Sequence, residues 1–241
     1  MTDLSRRALV AGLALSPVLA TILRPLPASA APGAGPAACA LTPGIAEDGS
    51  YTDVRLVRED ITEGRAGLPL TLLLRLVTPQ CLPVSGARVD VWHCDATGAY
   101  SGPPAPGGTA GAPTTFLRGT GFTDAQGGVR FRTIYPGWVR GRTPHVHYKV
   151  FLGGQPALTS QIFFPDAVNE AVFAGQQPYA SRAGTRDTFN TDDRVLARLD
   201  TGAMAELEHG AGGITAWLQV GLDAPAAAGP LPSPPPPGRR G

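Results

Sequence analysis

The stretch TIYPGWVRGRTPHVHYKV, Thr133 to Val150, carries two histidines one residue apart, His145 and His147. On a β-strand, residues i and i+2 share a face and sit roughly 6.6 Å apart along the chain. Two imidazoles so placed can converge on one metal ion, and histidine is the commonest metal ligand near neutral pH. The same spacing also suits two hydrogen-bonded or exposed structural histidines, so the pair alone leaves both readings open. Its surroundings favour metal. Gly141-Arg142-Thr143-Pro144 brings a cation beside the pair, and RVDVWHCDATGAYSG ends in a Gly98-Ala99-Tyr100 turn able to project a phenol.

Strands must do the positioning. Leu68 to Val77 (LPLTLLLRLV) is a dense apolar run and reads as a buried strand. Arg88 to His93 alternates, with Val89, Val91 and His93 on one face. Gly128 to Tyr135 alternates after the turn signal Asp124-Ala125-Gln126-Gly127-Gly128. His145 to Leu152 and Leu158 to Phe164 follow as strands, joined by the hairpin-like Gly153-Gly154-Gln155-Pro156. Asp166 reads as the N-cap of a helix over AVNEAVFAG, and a second short helix fits Asp193 to Leu199. Ile214 to Val220 closes as a strand. With no βαβ alternation and no repeat, the expected class is all-β: an antiparallel β-sandwich with a few short helices and long loops.

Composition agrees. Among 241 residues, 31 are Gly, 25 are Pro and only 16% are charged, which suits a loop-rich β protein. Lys149 is the one lysine, an arginine bias without functional meaning. The formal net charge of +1 points to neither a nucleic-acid nor a membrane-surface partner. Residues 1–30 read as an export signal: a basic pair, Arg6-Arg7, an apolar run from Ala8 to Leu23 broken by Pro17, then Ala28-Ser29-Ala30. Ser5-Arg6-Arg7-Ala8-Leu9-Val10 resembles the twin-arginine type. The mature chain is expected to start near Ala31 and to work in the periplasm or outside the cell. Losing three arginines and one aspartate takes the formal charge from +1 to −1. The folded domain spans 31–223, and 224–241 is a proline-rich tail with no hydrophobic periodicity. Cys39, Cys81 and Cys94 lack zinc-site spacing, and one bridge plus one buried thiol is expected, in a pairing the sequence leaves open.

VDVWHCDATGAYSG, GFTDAQGGVRFRTIYPGWVRGRTPHVHYKV and TSQIFFPD resemble the intradiol ring-cleavage dioxygenase family, in particular its exported bacterial members. ACALTPGIAEDGSYTD and REDITEGRAGLPLTLLLRLV resemble its upstream part, so the likeness runs from about Cys39 to Asn190. It implies a transthyretin-like sandwich holding non-haem Fe(III) through two tyrosines and two histidines. Tyr100 matches the first tyrosine, and His145 and His147 match the family's His-x-His. Arg142 matches an arginine beside the bound substrate, and Gln161 a glutamine lining the same pocket. Tyr51, in Gly49-Ser50-Tyr51, resembles a tyrosine near the pocket entrance, although its stretch departs from the usual Gly-Pro-Tyr-Tyr.

The second tyrosine is absent. Where the family pattern reads Tyr-Pro-Gly-Trp-Tyr, this chain reads Tyr135-Pro136-Gly137-Trp138-Val139, and valine has no donor atom. Tyr135, four residues earlier, is a weak candidate for its replacement. Phenolate and imidazole suit ferric iron, and a trivalent ion drives the proton off a phenol. The implied reaction uses O₂ to open a catechol-type ring between its two hydroxyl-bearing carbons, with Arg142 stabilising negative charge on the ring. With Val139, a three-ligand site with solvent in the fourth position would turn over more slowly. The alternative is a non-catalytic metal-binding or aromatic-diol-binding protein on the same fold. A copper oxidase on the His-x-His pair would need a third nitrogen or sulfur ligand, and none is evident. Buried structural roles suit His93, Trp92 and Trp138, and a solvent-exposed one suits His209. No Gly-x-Ser-x-Gly elbow, P-loop or His-Glu-x-x-His is present.

Overall fold

The computed structural model describes residues 38–103, 114–199 and 201–224. The expected export signal and all but the first residue of the expected tail lie outside them. The strands are β1 (Pro69–Val77), β2 (Arg88–Trp92), β3 (Arg118–Phe122), β4 (Gly128–Ile134), β5 (His145–Leu152), β6 (Gln155–Phe163), β7 (Glu206–Gly210) and β8 (Gly213–Gly221). They form two four-stranded sheets, ordered β4-β1-β8-β7 and β3-β2-β5-β6. Helices α1 (Asp166–Gly175) and α2 (Leu196–Leu199) and two short 3-10 turns lie between β6 and β7. Among the described residues no helix is long and apolar enough to cross a membrane. The all-β sandwich expected from the alternation is the fold found. One ladder departs from antiparallel pairing, since β1 and β8 run parallel.

The inner faces follow the period of two. On β1 the side chains of Leu70, Leu72, Leu74 and Leu76 are buried, and Thr71, Leu73 and Arg75 between them are less so. They join Val129 and Phe131 of β4, and Ile214, Ala216, Leu218 and Val220 of β8. The second sheet contributes Val89, Val91, Val146, Tyr148, Val150 and Ile162 to the same cluster. Truncating one of these leucines to alanine costs about 2–5 kcal/mol, the loss of buried area plus a cavity.

Register then decides what faces the other way. Trp92 pairs with His147 and Asp90 with Lys149 across β2 and β5, while Gln161 of β6 faces His147. These side chains therefore lie on the outer face of the second sheet, away from the inter-sheet core. That face is covered as well. A small second cluster of Phe163, Leu196, Leu199 and Ala203 packs there with Ile45, Val195 and Met204. The histidine pair thus sits between the sheet and a lid built from the N-terminal arm and the segment around α2.

One local expectation changes. Asp166 does not cap α1: Pro165 holds the N-cap position without a side-chain cap bond. Its carboxylate instead binds Arg186 and accepts from the backbone N–H of Asn190 (3.0 Å), tying α1 to the segment that follows it. Asp193 does act as a cap, accepting from Val195 N (2.9 Å) and Leu196 N (3.0 Å) at the start of α2. The disulfide joins Cys39 to Cys81. Cys94 is a buried thiol, pushed up to about 12 by burial and then by the Asp95 charge.

Candidate metal and substrate site

Tyr100 reaches the histidine pair through a turn whose every residue has a task. β2 ends at Trp92, and the Asp95 carboxylate then accepts from Thr97 N (2.9 Å) and Ala99 N (3.0 Å). Gly98 has φ +87°, and a Cβ there would meet Trp138 O at 2.5 Å. The bend therefore needs glycine both for its backbone angle and for its contact with the Tyr135–Val139 loop. A Cβ on Gly137 would meet Asp95 O at 2.4 Å, so the two loops interlock from both sides.

The three expected donors converge. Tyr100 Oη lies 3.0 Å from His147 Nε2 and 3.3 Å from His145 Nε2, and the two Nε2 atoms are 3.0 Å apart. Three atoms each about 2.1 Å from a common ion stand about 3.0–3.6 Å from one another at angles of about 90–120°. The triangle fits a metal ion, and one phenol with two imidazoles suits Fe(III).

The shell behind the triangle orients it. His145 Nδ1–H donates to Thr143 O (2.7 Å), which leaves Nε2 bare toward the centre. The Trp92 indole stacks on His147 at 4.8 Å and 14°. Arg142 donates to Asp193 Oδ2 through Nε (2.9 Å) and to Gln161 Oε1 through Nη2 (2.5 Å). That second bond turns the Gln161 amide nitrogen toward His147 Nδ1 (3.1 Å), so His147 carries its proton on Nε2, inside the triangle. A metal ion bound there would take the place of that proton.

Burial sets the protonation of the donors. It pushes His145 down to about 4, helped by the charge of Arg142. His147 is held well below the usual imidazole range by burial and then by His145. Burial raises the Tyr100 phenol far above its ordinary value, and the Asp48 carboxylate adds to it. Without metal all three are neutral, and a bound cation would reverse the balance for the phenol.

Other residues sort out clearly. Tyr51 lies one ring beyond the site, its ring 4.9 Å from Trp92 and its hydroxyl donating to Asp90 Oδ2 (2.8 Å). Tyr135 is unavailable as a replacement ligand: it is fully buried and donates to Asn169 Oδ1 on α1 (2.6 Å). His93 is satisfied in the core by Cys94 O (2.8 Å) and Thr133 Oγ1 (2.7 Å). His209 is exposed on β7.

Three neighbours went unseen in the sequence. Asp193 fixes both Arg142 and the Thr143 N–H (3.0 Å). Arg118, the cross-strand partner of Trp92, is buried, and its Nη1 has no hydrogen-bond partner among the described residues. Asp48, on the N-terminal arm, brings Oδ2 to 3.7 Å from His147 Nε2. No spacing rule links these positions to the His-x-His motif, and the fold alone brings them together.

A family model described as Dioxygenase matches residues 42–177. The chain is 32% identical over 114 residues to chlorocatechol 1,2-dioxygenase of Pseudomonas sp. (strain P51), covering 40% of this chain and 43% of that protein. It is 34% identical over 99 residues to the Pseudomonas putida chlorocatechol 1,2-dioxygenase, covering 34% of this chain and 36% of that protein. The chain thus spans less than half the length of these curated relatives. An intradiol ring-cleavage dioxygenase from Tetranychus urticae shares the fold at TM-score 0.70 and 30% identity, over 77% of this chain and 95% of that one. The dioxygenase domain of a carbohydrate-binding fusion protein from Streptomyces sp. SirexAA-E superposes at TM-score 0.57 and 28% identity, over 76% and 99%. Motifs, fold and family match run over the same residues, and this chain belongs to the intradiol ring-cleavage dioxygenase family.

Proposed function

We propose that this protein is an exported, non-haem ferric intradiol dioxygenase that opens a catechol-type ring with O₂. The observation that carries the reading is the convergence of Tyr100, His145 and His147 within 3.0–3.3 Å, beside the Arg142–Gln161 pair. The carbon–carbon bond between the two hydroxyl-bearing carbons breaks, both oxygen atoms of O₂ enter the product, and each of those carbons becomes a carboxyl group. Tyr100, His145 and His147 would hold ferric iron, which would supply Lewis acidity toward the diol.

The chain's own groups then have defined tasks. Thr143 O fixes the His145 tautomer, and the stacked Trp92 fixes the plane of His147. Arg142, held in place by Asp193, offers a preorganised positive charge to the ring as it loses protons. Position 139 offers no proton acceptor, so turnover falls below that of a site with a tyrosine there. Export is supported by the Arg6-Arg7 signal pattern and by the Cys39–Cys81 bridge, which suits an oxidising compartment.

The test is oxygen uptake by the mature, ferric-loaded protein offered catechol, protocatechuate and hydroxyquinol, with His145→Ala as control. Uptake that disappears in the control supports the reading. Iron bound without uptake of O₂ on any diol favours the alternative, a diol-binding or metal-binding protein on the same fold. Val139, with no donor atom where the family pattern has a tyrosine, is the observation in that alternative's favour.

A further inference from the structure

The site has lost a phenolate at position 139, yet a second anionic oxygen stands beside it on another segment. Asp48 belongs to the N-terminal arm, which pairs with the second sheet through Ile45 N to Thr159 O (2.9 Å). Its carboxylate is aimed by its neighbours. Oδ1 accepts from the Ser50 backbone N–H (3.0 Å) and from the Ser50 hydroxyl. The Ser50 Oγ in turn accepts from Trp92 Nε1 (2.8 Å), and Trp92 stacks on His147. One chain of contacts therefore fixes Asp48 relative to the imidazole it faces. Oδ2 accepts no hydrogen bond among the described residues and lies 3.7 Å from His147 Nε2, the atom that would bind metal.

We infer that Asp48 is the fourth protein ligand of this centre, its carboxylate replacing the phenolate that Val139 cannot supply. The inference rests on the reading of Tyr100, His145 and His147 as a metal site. Two donors on one ion at about 2.1 Å are about 3.6 Å apart at an angle of about 120°, so 3.7 Å needs little movement of the arm. Charge argues the same way. Tyrosinate alone leaves a ferric ion with one protein anion, and tyrosinate with aspartate restores two. Carboxylate oxygen is a hard donor, well matched to Fe(III). The arm is partly open at this point, the Asp48 side chain being 46% exposed.

The test compares the mature wild type with Asp48→Asn, Asp48→Ser, Val139→Tyr and the double variant Asp48→Asn/Val139→Tyr. Asparagine keeps the acceptor for Ser50 N–H, and serine keeps a turn-forming hydroxyl, so either preserves the arm. Fe(III) affinity is read by competition with a chelator, and the tyrosinate-to-iron absorption band is read alongside. Both single Asp48 variants should weaken iron binding at least tenfold and move the band to lower energy, because a less neutralised ion accepts charge more readily. Val139→Tyr on the Asp48→Asn background should restore the affinity and intensify the band. Wild-type affinity and an unmoved band in both Asp48 variants would overturn the inference and leave the three-donor site standing. No iron uptake by the wild type would overturn the metal reading itself, and this inference with it.

Discussion

Tyr135 and Val139 are four residues apart, and neither offers a donor atom to the candidate site. The Tyr135 hydroxyl is spent on Asn169 Oδ1 at 2.6 Å, deep in the core, which removes this phenol as a ligand. Tyr135→Phe is therefore expected to cost about 1–3 kcal/mol of stability, the penalty for an unsatisfied buried acceptor. Iron affinity and the tyrosinate band should stay as in the wild type, and loss of colour on chemical or thermal titration well below the unfolding transition would contradict this. Val139→Tyr should do the reverse: raise turnover severalfold on the best diol and deepen the iron colour, with stability within about 1 kcal/mol. If neither turnover nor colour changes, position 139 does not face the metal. Tyr100, His145, His147 and the valine at 139 were legible because each lies in a short motif, GAYSG for the first and YPGWVRGRTPHVH for the rest. The sequence was silent about Asp48, whose partner His147 is far along the chain and is reached only through the path of the arm.

At the scale of elements, the site depends on the segment between α1 and β7 as much as on the strands. Asp193 is wholly buried and joins three pieces: Arg142 on the entry loop, the Thr143 N–H, and the first turn of α2. Burial alone would raise its pKa, but the Arg142 hydrogen bond and the Leu196 and Thr143 N–H groups outweigh it and hold the carboxyl below the usual carboxylate range. The sign follows from linkage. Stability from Asp193 is present above the unfolded value and is lost as pH falls through the lower folded value. Asp193→Asn is expected to cost about 3 kcal/mol at neutral pH and to flatten the acid limb of the stability profile below about pH 4. Because Arg142 then loses its anchor, KM for the diol should rise about tenfold while the iron band keeps its position. A variant that loses its iron colour but keeps KM would show that Asp193 supports the ligands and not the arginine. β3 and β7 explain why some elements were not visible in the sequence. β3 reads Arg118-Gly119-Thr120-Gly121-Phe122, with no apolar alternation, because its glycines make room for Ile61 and Val129. β7 is an exposed edge strand whose residues carry no hydrophobic signal.

The molecule as a whole is two sheets with the candidate site on the outside of one of them, and that arrangement needs a cover. The strands of both inner faces were legible because burial on one face imposes a period of two. The cover was not, because loops carry no such period and acquire their partners only when the sheets close. The N-terminal arm is the clearest case. It begins at the Cys39–Cys81 bridge, continues through Thr42 N to Gly221 O (2.9 Å) and Ile45 N to Thr159 O (2.9 Å), and ends with Asp48, Ser50 and Tyr51 over the site. The bridge closes a loop of sequence separation 42, for which chain entropy gives about 4 kcal/mol as an upper figure. Its removal in Cys39→Ser/Cys81→Ser should thus lower stability by about 2–4 kcal/mol. The site should respond much less. Thr42 and Ile45 pin the arm between the bridge and Asp48, and these backbone bonds do not depend on the disulfide. Denaturant unfolding should move to lower midpoint, while Fe(III) affinity and the energy of the tyrosinate band stay within error of the wild type. If the double serine variant instead loses iron in step with stability, the two backbone pins are too weak to hold the arm. The bridge would then be what keeps Asp48 beside His147, and the centre would assemble fully only after oxidation.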